Sequence, residues 1–133
     1  RMPAARAIPG GMSTAFHVAP RASGARYVAA RGEAVADEIR SHRLQDAVRL
    51  RGRVRSVPAA MADWDLFVSL SSDEGQGLAI LEAMALGVPV AARVVPGVED
   101  YFRPDVNGIA VESTRPAAVA AAMKTAPTRI DRW

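Results

Sequence analysis

Two carboxylates, Glu74 and Glu82, stand eight positions apart in residues 73–90, DEGQGLAILEAMALGVPV. Glu74 belongs to a glycine-rich turn, Glu74-Gly75-Gln76-Gly77. Glu82 is the only charge in a run otherwise made of Leu, Ala, Ile, Met and Gly. Glycine lets the backbone approach a ligand closely and leaves amide N–H groups uncovered. Where such a turn feeds a helix, the first N–H groups have no intrahelical partner and favour negative charge. A phosphate is well received there. At ~1.5 Å rise per residue the two carboxylates fall roughly 10 Å apart along the helix axis. That matches the reach from the sugar of a nucleotide-sugar to its ribose. Without a ligand, Glu74 is an N-terminal helix acid worth about 0.3–1 kcal/mol, and Glu82 is the solvated edge of an amphipathic helix.

The elements that must hold this stretch are legible from period and punctuation. Residues 65–70, DLFVSL, contain an unbroken apolar run and predict a strand buried on both faces. A second such strand is predicted over 88–92. The helix between them has Leu78, Leu81 and Ala85 on one face, with Ile80 and Met84 beside it. Earlier strands are predicted over 26–30 and 48–54, and a late one over 108–111. Helices are predicted over 33–42, 59–63 and 115–124, with another opening at Pro96-Gly97-Val98-Glu99. Residues 12–19 suggest a short helix in a segment broken by Pro3, Pro9, Gly10, Gly11 and Pro20. Strands and helices alternating over short connections predict an α/β fold, doubly wound, with a mostly parallel, Rossmann-like sheet. In such sheets ligands bind outside the carboxyl ends of the strands. The loops 71–77 and 93–99 both reach that edge. The division expected is a poorly defined N-terminal segment at 1–25, an α/β domain at 26–126 and a tail at 127–133.

Composition narrows the classes. The chain has 133 residues, half of them hydrophobic but only 5% aromatic, so one aliphatic core is expected. No apolar run approaches the ~20 residues of a membrane span. Cysteine is absent, which removes disulfides and thiolate metal sites and fits a cytoplasmic location. Of the 17 basic residues only Lys124 is a lysine, and the formal net charge is +3. Arg49, Arg51, Arg53 and Arg55 alternate with Val48, Leu50, Gly52 and Val54. Period two puts these guanidinium groups on one side of an extended chain. They form either a solvated strand face or a basic wall beside a diphosphate, and Arg53, near the strand's carboxyl end, is the candidate contact. His17 and His42 lack a ligand pattern. Asp63-Trp64-Asp65 has Asp-x-Asp spacing, but it precedes a buried strand rather than following one. No metal site and no cofactor are expected. Specific nucleic-acid binding is disfavoured, since no aromatics interleave the arginines.

The central stretch resembles the E-x7-E signature of the large retaining glycosyltransferase family with the GT-B fold (glycosyl transferases group 1). The matching residues are Ser71 or Ser72, Glu74, Gly75, Gly77, Leu81-Glu82-Ala83-Met84-Ala85, Gly87, Pro89 and Val90. The likeness is close over 63–99 and looser over 26–122. It implies the C-terminal, donor-binding half of a GT-B enzyme, acting as a metal-independent hexosyltransferase on a nucleoside diphosphate sugar. Glu74 would be the catalytic-site acid that contacts the donor sugar. The amides of Gly75, Gln76, Gly77 and Leu78 would meet the diphosphate or sugar. Glu82 would hold both ribose hydroxyls, a task suited to a group that accepts at two oxygens.

Several positions depart from the family pattern. Gln76 stands where Phe is usual, Arg31-Gly32 where Asp-Gly is usual, and Pro96-Gly97 where Gly-Gly is usual. Glu99 matches the acid after that turn. The Arg and Lys that pair with the diphosphate are not matched, although Arg6 is near the Arg position. The expectation is a fragment that is inactive alone and needs an N-terminal GT-B domain or partner chain. An exposed apolar face and self-association would follow. The alternative is a catalytically inactive GT-B-like module that binds nucleotide or docks a partner.

Overall fold

The computed structural model describes residues 15–17, 27–29, 33–51, 54–62 and 64–129. The chain order is β1 (Ala15–His17), β2 (Tyr27–Ala29), α1 (Glu33–Ser41), β3 (Val48–Leu50), α2 (Val57–Met61), β4 (Phe67–Ser69), α3 (Leu78–Ala85), β5 (Val90–Ala92), β6 (Ile109–Ala110) and α4 (Pro116–Arg129). One ladder has the order β1-β4-β5-β6 and a second pairs β2 with β3, with β1 and β2 lying side by side. The β2–β3, β4–β5 and β5–β6 pairs are parallel, and β1 runs antiparallel to β4. The mostly parallel, helix-covered sheet read from the sequence is therefore present.

Strands β4 and β5 are buried at every position, because both sheet faces are covered. One core joins Phe67, Val90 and Ala92 to Ile80 and Ala83 of α3, Met61 of α2, and Val98 and Phe102 of the loop after β5. The other joins Val68, Ala91 and Ile109 to Ala122 and Ala126 of α4. Alternate residues of one strand thus feed opposite cores. Burying a Phe such as Phe67 or Phe102, each at most 2% exposed, contributes about 1.5–3 kcal/mol.

Helix α3 ends as its sequence requires. Gly87 adopts φ +71, its N–H donates to the Met84 carbonyl, and the Val88 N–H donates to the Ala83 carbonyl at 2.9 Å. This left-handed stop returns the chain to the sheet through Pro89.

Several expectations need correction. The helix suggested over 12–19 is replaced by strand β1 at 15–17, whose ladder bonds to buried β4 outweigh weak local preference. Strand β3 stops at Leu50, because β2 offers it only three partners. Arg49 is thus an exposed strand residue and Arg51 lies beyond the strand, while Arg53 falls outside the described residues. Helix α2 starts at Val57, earlier than expected, because the Ser56 side chain accepts from the Ala59 N–H at 3.3 Å. The helix expected to open at Pro96 is a run of turns, since Gly97 at φ +85 breaks the helical path. Helix α4 continues through Pro127 to Arg129, into the stretch read as a tail. Leu78, Leu81 and Ala85 do share one face of α3, and that face looks outward: Leu78 is 63% and Leu81 36% exposed, while Ile80 and Ala83 are buried.

Candidate functional site

Parallel strands β4 and β5 deliver their following loops to the same sheet edge. The Arg93 N–H donates to the Ser69 carbonyl at 3.0 Å, which ties the two loop starts together. Further out, the loops meet through glycine. Gly97 lies against the carbonyls of Glu74 and Gly75, so close that a Cβ on it would be 2.5 Å from the Glu74 oxygen. Gly77 lies against Tyr101, where an added Cβ would be 2.5 Å from the phenol oxygen. The Tyr101 hydroxyl faces the carbonyls of Gln76 at 3.1 Å and Gly77 at 3.3 Å.

Gly77 is also the cap of α3, at φ 60 and ψ 42, with no side chain capping the helix. Its carbonyl accepts from the N–H groups of Ile80 and Leu81. The N–H groups of Leu78 and Ala79 precede any intrahelical acceptor, and among the described residues no side chain caps this positive end of α3. Gly75 and Gln76 are exposed and Glu74 half-buried. Glu82 lies on the outward side of α3, one turn beyond Leu78 and opposite the buried Ile80 and Ala83. The structure therefore groups Glu74, Gly75, Gln76, Gly77 and Leu78 in one turn, with Glu82 on the adjoining helix face. Arg53 cannot be placed among the described residues.

Other sequence candidates lie elsewhere. Glu99 is exposed, and its carbonyl accepts from Arg103 at 2.9 Å. Asp65 precedes β4, at the sheet edge opposite the turn. His42 pairs with Glu38 along α1 at 3.1 Å. Lys124 is exposed on α4, across the sheet from α3. Among the described residues no group of three His, Cys, Asp or Glu side chains is placed to hold a metal ion. None of the described helices is long and apolar enough to cross a membrane.

Two residues escaped the reading of the chain. Arg93 brings a cation to the end of β5, and a lone Arg directly after a buried strand was the available signal. Tyr101 is the other, because nothing local ties a loop tyrosine to a turn 24 residues earlier. Ser71, by contrast, was a motif match. Its Oγ is buried with no hydrogen-bond partner among the described residues. Ser71→Ala is expected to change unfolding free energy by less than about 0.5 kcal/mol in urea titrations, since no protein hydrogen bond is lost.

Burial, and secondarily the Glu74 carboxylate, raise the Tyr101 pKa above the ordinary 10.0. The folded chain therefore keeps this proton after the unfolded chain has released it. The associated stability is complete below pH 10.0 and is lost as pH rises through the higher folded value. Urea midpoints on either side of that pH should fall in the wild type, and Tyr101→Phe should flatten the decline. An equal decline in the variant would refute the assignment.

The family model described as glycosyl transferases group 1 matches residues 14–127. The chain belongs to this family. A D-inositol 3-phosphate glycosyltransferase of Geodermatophilus obscurus is 42% identical over 65 residues, which cover 49% of this chain and 14% of that protein. The fold matches Anabaena HepE solved with UDP-glucose, at TM-score 0.68 and 27% identity, over 74% of this chain and 28% of that one. It also matches Staphylococcus aureus TarM solved with UDP, at TM-score 0.64 and 29% identity, over 75% of this chain and 20% of that one. The chain thus spans less than a third of the length of these relatives. Family membership agrees with the parallel sheet, and the glycine-joined loops lie where a sheet of this kind receives ligands.

Proposed function

We propose that the chain is the donor-binding part of a retaining, metal-independent glycosyltransferase acting on a uridine diphosphate sugar. The observation that carries this is the turn from Glu74 to Leu78, which ends at the bare amide end of α3 with Glu82 on the adjoining outward face. The amides of Gly75, Gln76, Gly77 and Leu78 oppose the diphosphate charge in place of a metal ion, Glu82 accepts from the ribose hydroxyls and Glu74 accepts from the sugar. Uridine is favoured by the ligands of two similar structures. In the complete enzyme the acceptor hydroxyl attacks the anomeric carbon from the side of the leaving group. The C–O bond to the diphosphate breaks, and a diphosphate oxygen takes the acceptor's proton. The acceptor-binding part is supplied by further sequence or a partner chain, against the outward face of Leu78 and Leu81.

Calorimetric titration of UDP-glucose into the chain tests this. Saturable binding that UDP displaces and a chelator leaves unchanged is expected. Absence of binding by uridine, guanosine and adenosine diphosphate sugars would overturn it. A second reading, nucleotide binding without transfer, is favoured by the position of Lys124 on the far side of the sheet. It predicts UDP binding with no sugar transfer or donor hydrolysis, even in the full-length protein.

A further inference from the structure

We infer that Tyr101 is a positioning residue for the anion-binding turn, its hydroxyl orienting the amides of Gly77 and Leu78 toward the donor diphosphate. The inference rests on the functional reading above for the ligand, and on geometry for the residue. The hydroxyl lies 3.1 Å from the Gln76 carbonyl and 3.3 Å from the Gly77 carbonyl. A trans peptide unit is planar, with its C=O and N–H pointing in opposite directions. Holding the Gln76 carbonyl on the phenol therefore turns the Gly77 N–H away from it. The one phenol proton is shared between the two carbonyls, and its longer contact to the Gly77 carbonyl does the same to the Leu78 N–H. Gly77 is left-handed and Leu78 begins the right-handed α3. Successive residues of opposite hand bring their N–H groups into a concave, anion-attracting arrangement. Tyr101 thus sits behind that concavity and needs no contact with the ligand.

The tyrosine is itself fixed. Asn107 donates from Nδ2 to the Tyr101 carbonyl at 2.8 Å and accepts from the Arg103 N–H at 2.7 Å. The Arg103 guanidinium donates to the carbonyls of Glu99 at 2.9 Å and Asp100 at 3.2 Å. Phe102, fully buried, packs over Gly108. The loop after β5 is therefore a braced arm that delivers one hydroxyl to the opposite turn.

Tyr101→Phe keeps the ring and removes that hydroxyl. Two measurements on the chain decide the matter. In titrations, the variant should bind UDP about tenfold more weakly, the effect of one net hydrogen bond, and should bind uridine, which has no phosphate, as well as the wild type does. Equal loss for both ligands would indicate a general structural role and overturn the inference, as would no loss for either. Ligand-free 15N relaxation by NMR gives the second readout: larger-amplitude motion of the Gly77 and Leu78 N–H groups is expected, and unchanged motion overturns the inference. If the wild type fails to bind UDP, the donor-site proposal falls, while the relaxation data still decide whether Tyr101 orients the turn.

Discussion

Gly97→Ala is expected to destabilise the chain by about 2–4 kcal/mol and to weaken UDP binding by more than tenfold. Two costs act together. The backbone at Gly97 has φ +85, a conformation that costs an L-residue about 1–3 kcal/mol. The new methyl would also lie 2.5 Å from the Glu74 carbonyl oxygen, with the Gly75 backbone equally in the way. These are backbone atoms, so no side chain can swing aside, and the loops after β4 and β5 must part. Parting them removes the surface on which the turn from Glu74 to Gly77 rests. Gly75→Ala is the internal control, because a Cβ there meets nothing within 4 Å. Its unfolding midpoint in urea should differ little from that of the wild type. If Gly97→Ala proves as stable as Gly75→Ala, the contact between the loops is not what holds the site.

Glu82→Ala should behave in the opposite way, leaving stability nearly intact and removing affinity. Glu82 is exposed on α3 and carries no ion pair among the described residues, and Ala is at least as good a helix former as Glu. A change under about 0.5 kcal/mol in unfolding free energy is expected. A carboxylate that accepts from two ribose hydroxyls makes charge-assisted hydrogen bonds worth about 2–3 kcal/mol together, so UDP affinity should fall roughly thirty- to a hundredfold. The control is 2′-deoxy-UDP, which should bind the wild type weakly and distinguish little between wild type and variant. Undiminished UDP binding by Glu82→Ala would show that this carboxylate does not touch the ribose.

These two substitutions divide along the line between local and distant information. The Glu82 position was readable from the chain alone. A helix of Leu, Ala, Ile and Met closed by Gly87 has strong local preferences, and its charge and glycines stand out against an apolar background. The buried strands around Phe67 and Ala91 were readable for the same reason: a continuous apolar run has few places to go other than a sheet covered on both faces. The doubly wound plan follows from their alternation with helices.

The Gly97 contact was not readable, because a clash with Glu74 and Gly75 exists only after two parallel strands have aligned their loops. The same holds for the Tyr101 hydroxyl, whose partners are carbonyls far away in sequence. It also holds for β1, where pairing with β4 overrides a weak helical tendency, and for the outward turn of Leu78 and Leu81, since periodicity names a common face without saying which face meets the core. Sequence alone therefore settled which strands would be buried and where a glycine turn feeds a helix, because those properties depend on neighbours along the chain. Tertiary structure settled which atoms hold the turn in place, because that depends on backbones brought together by the sheet.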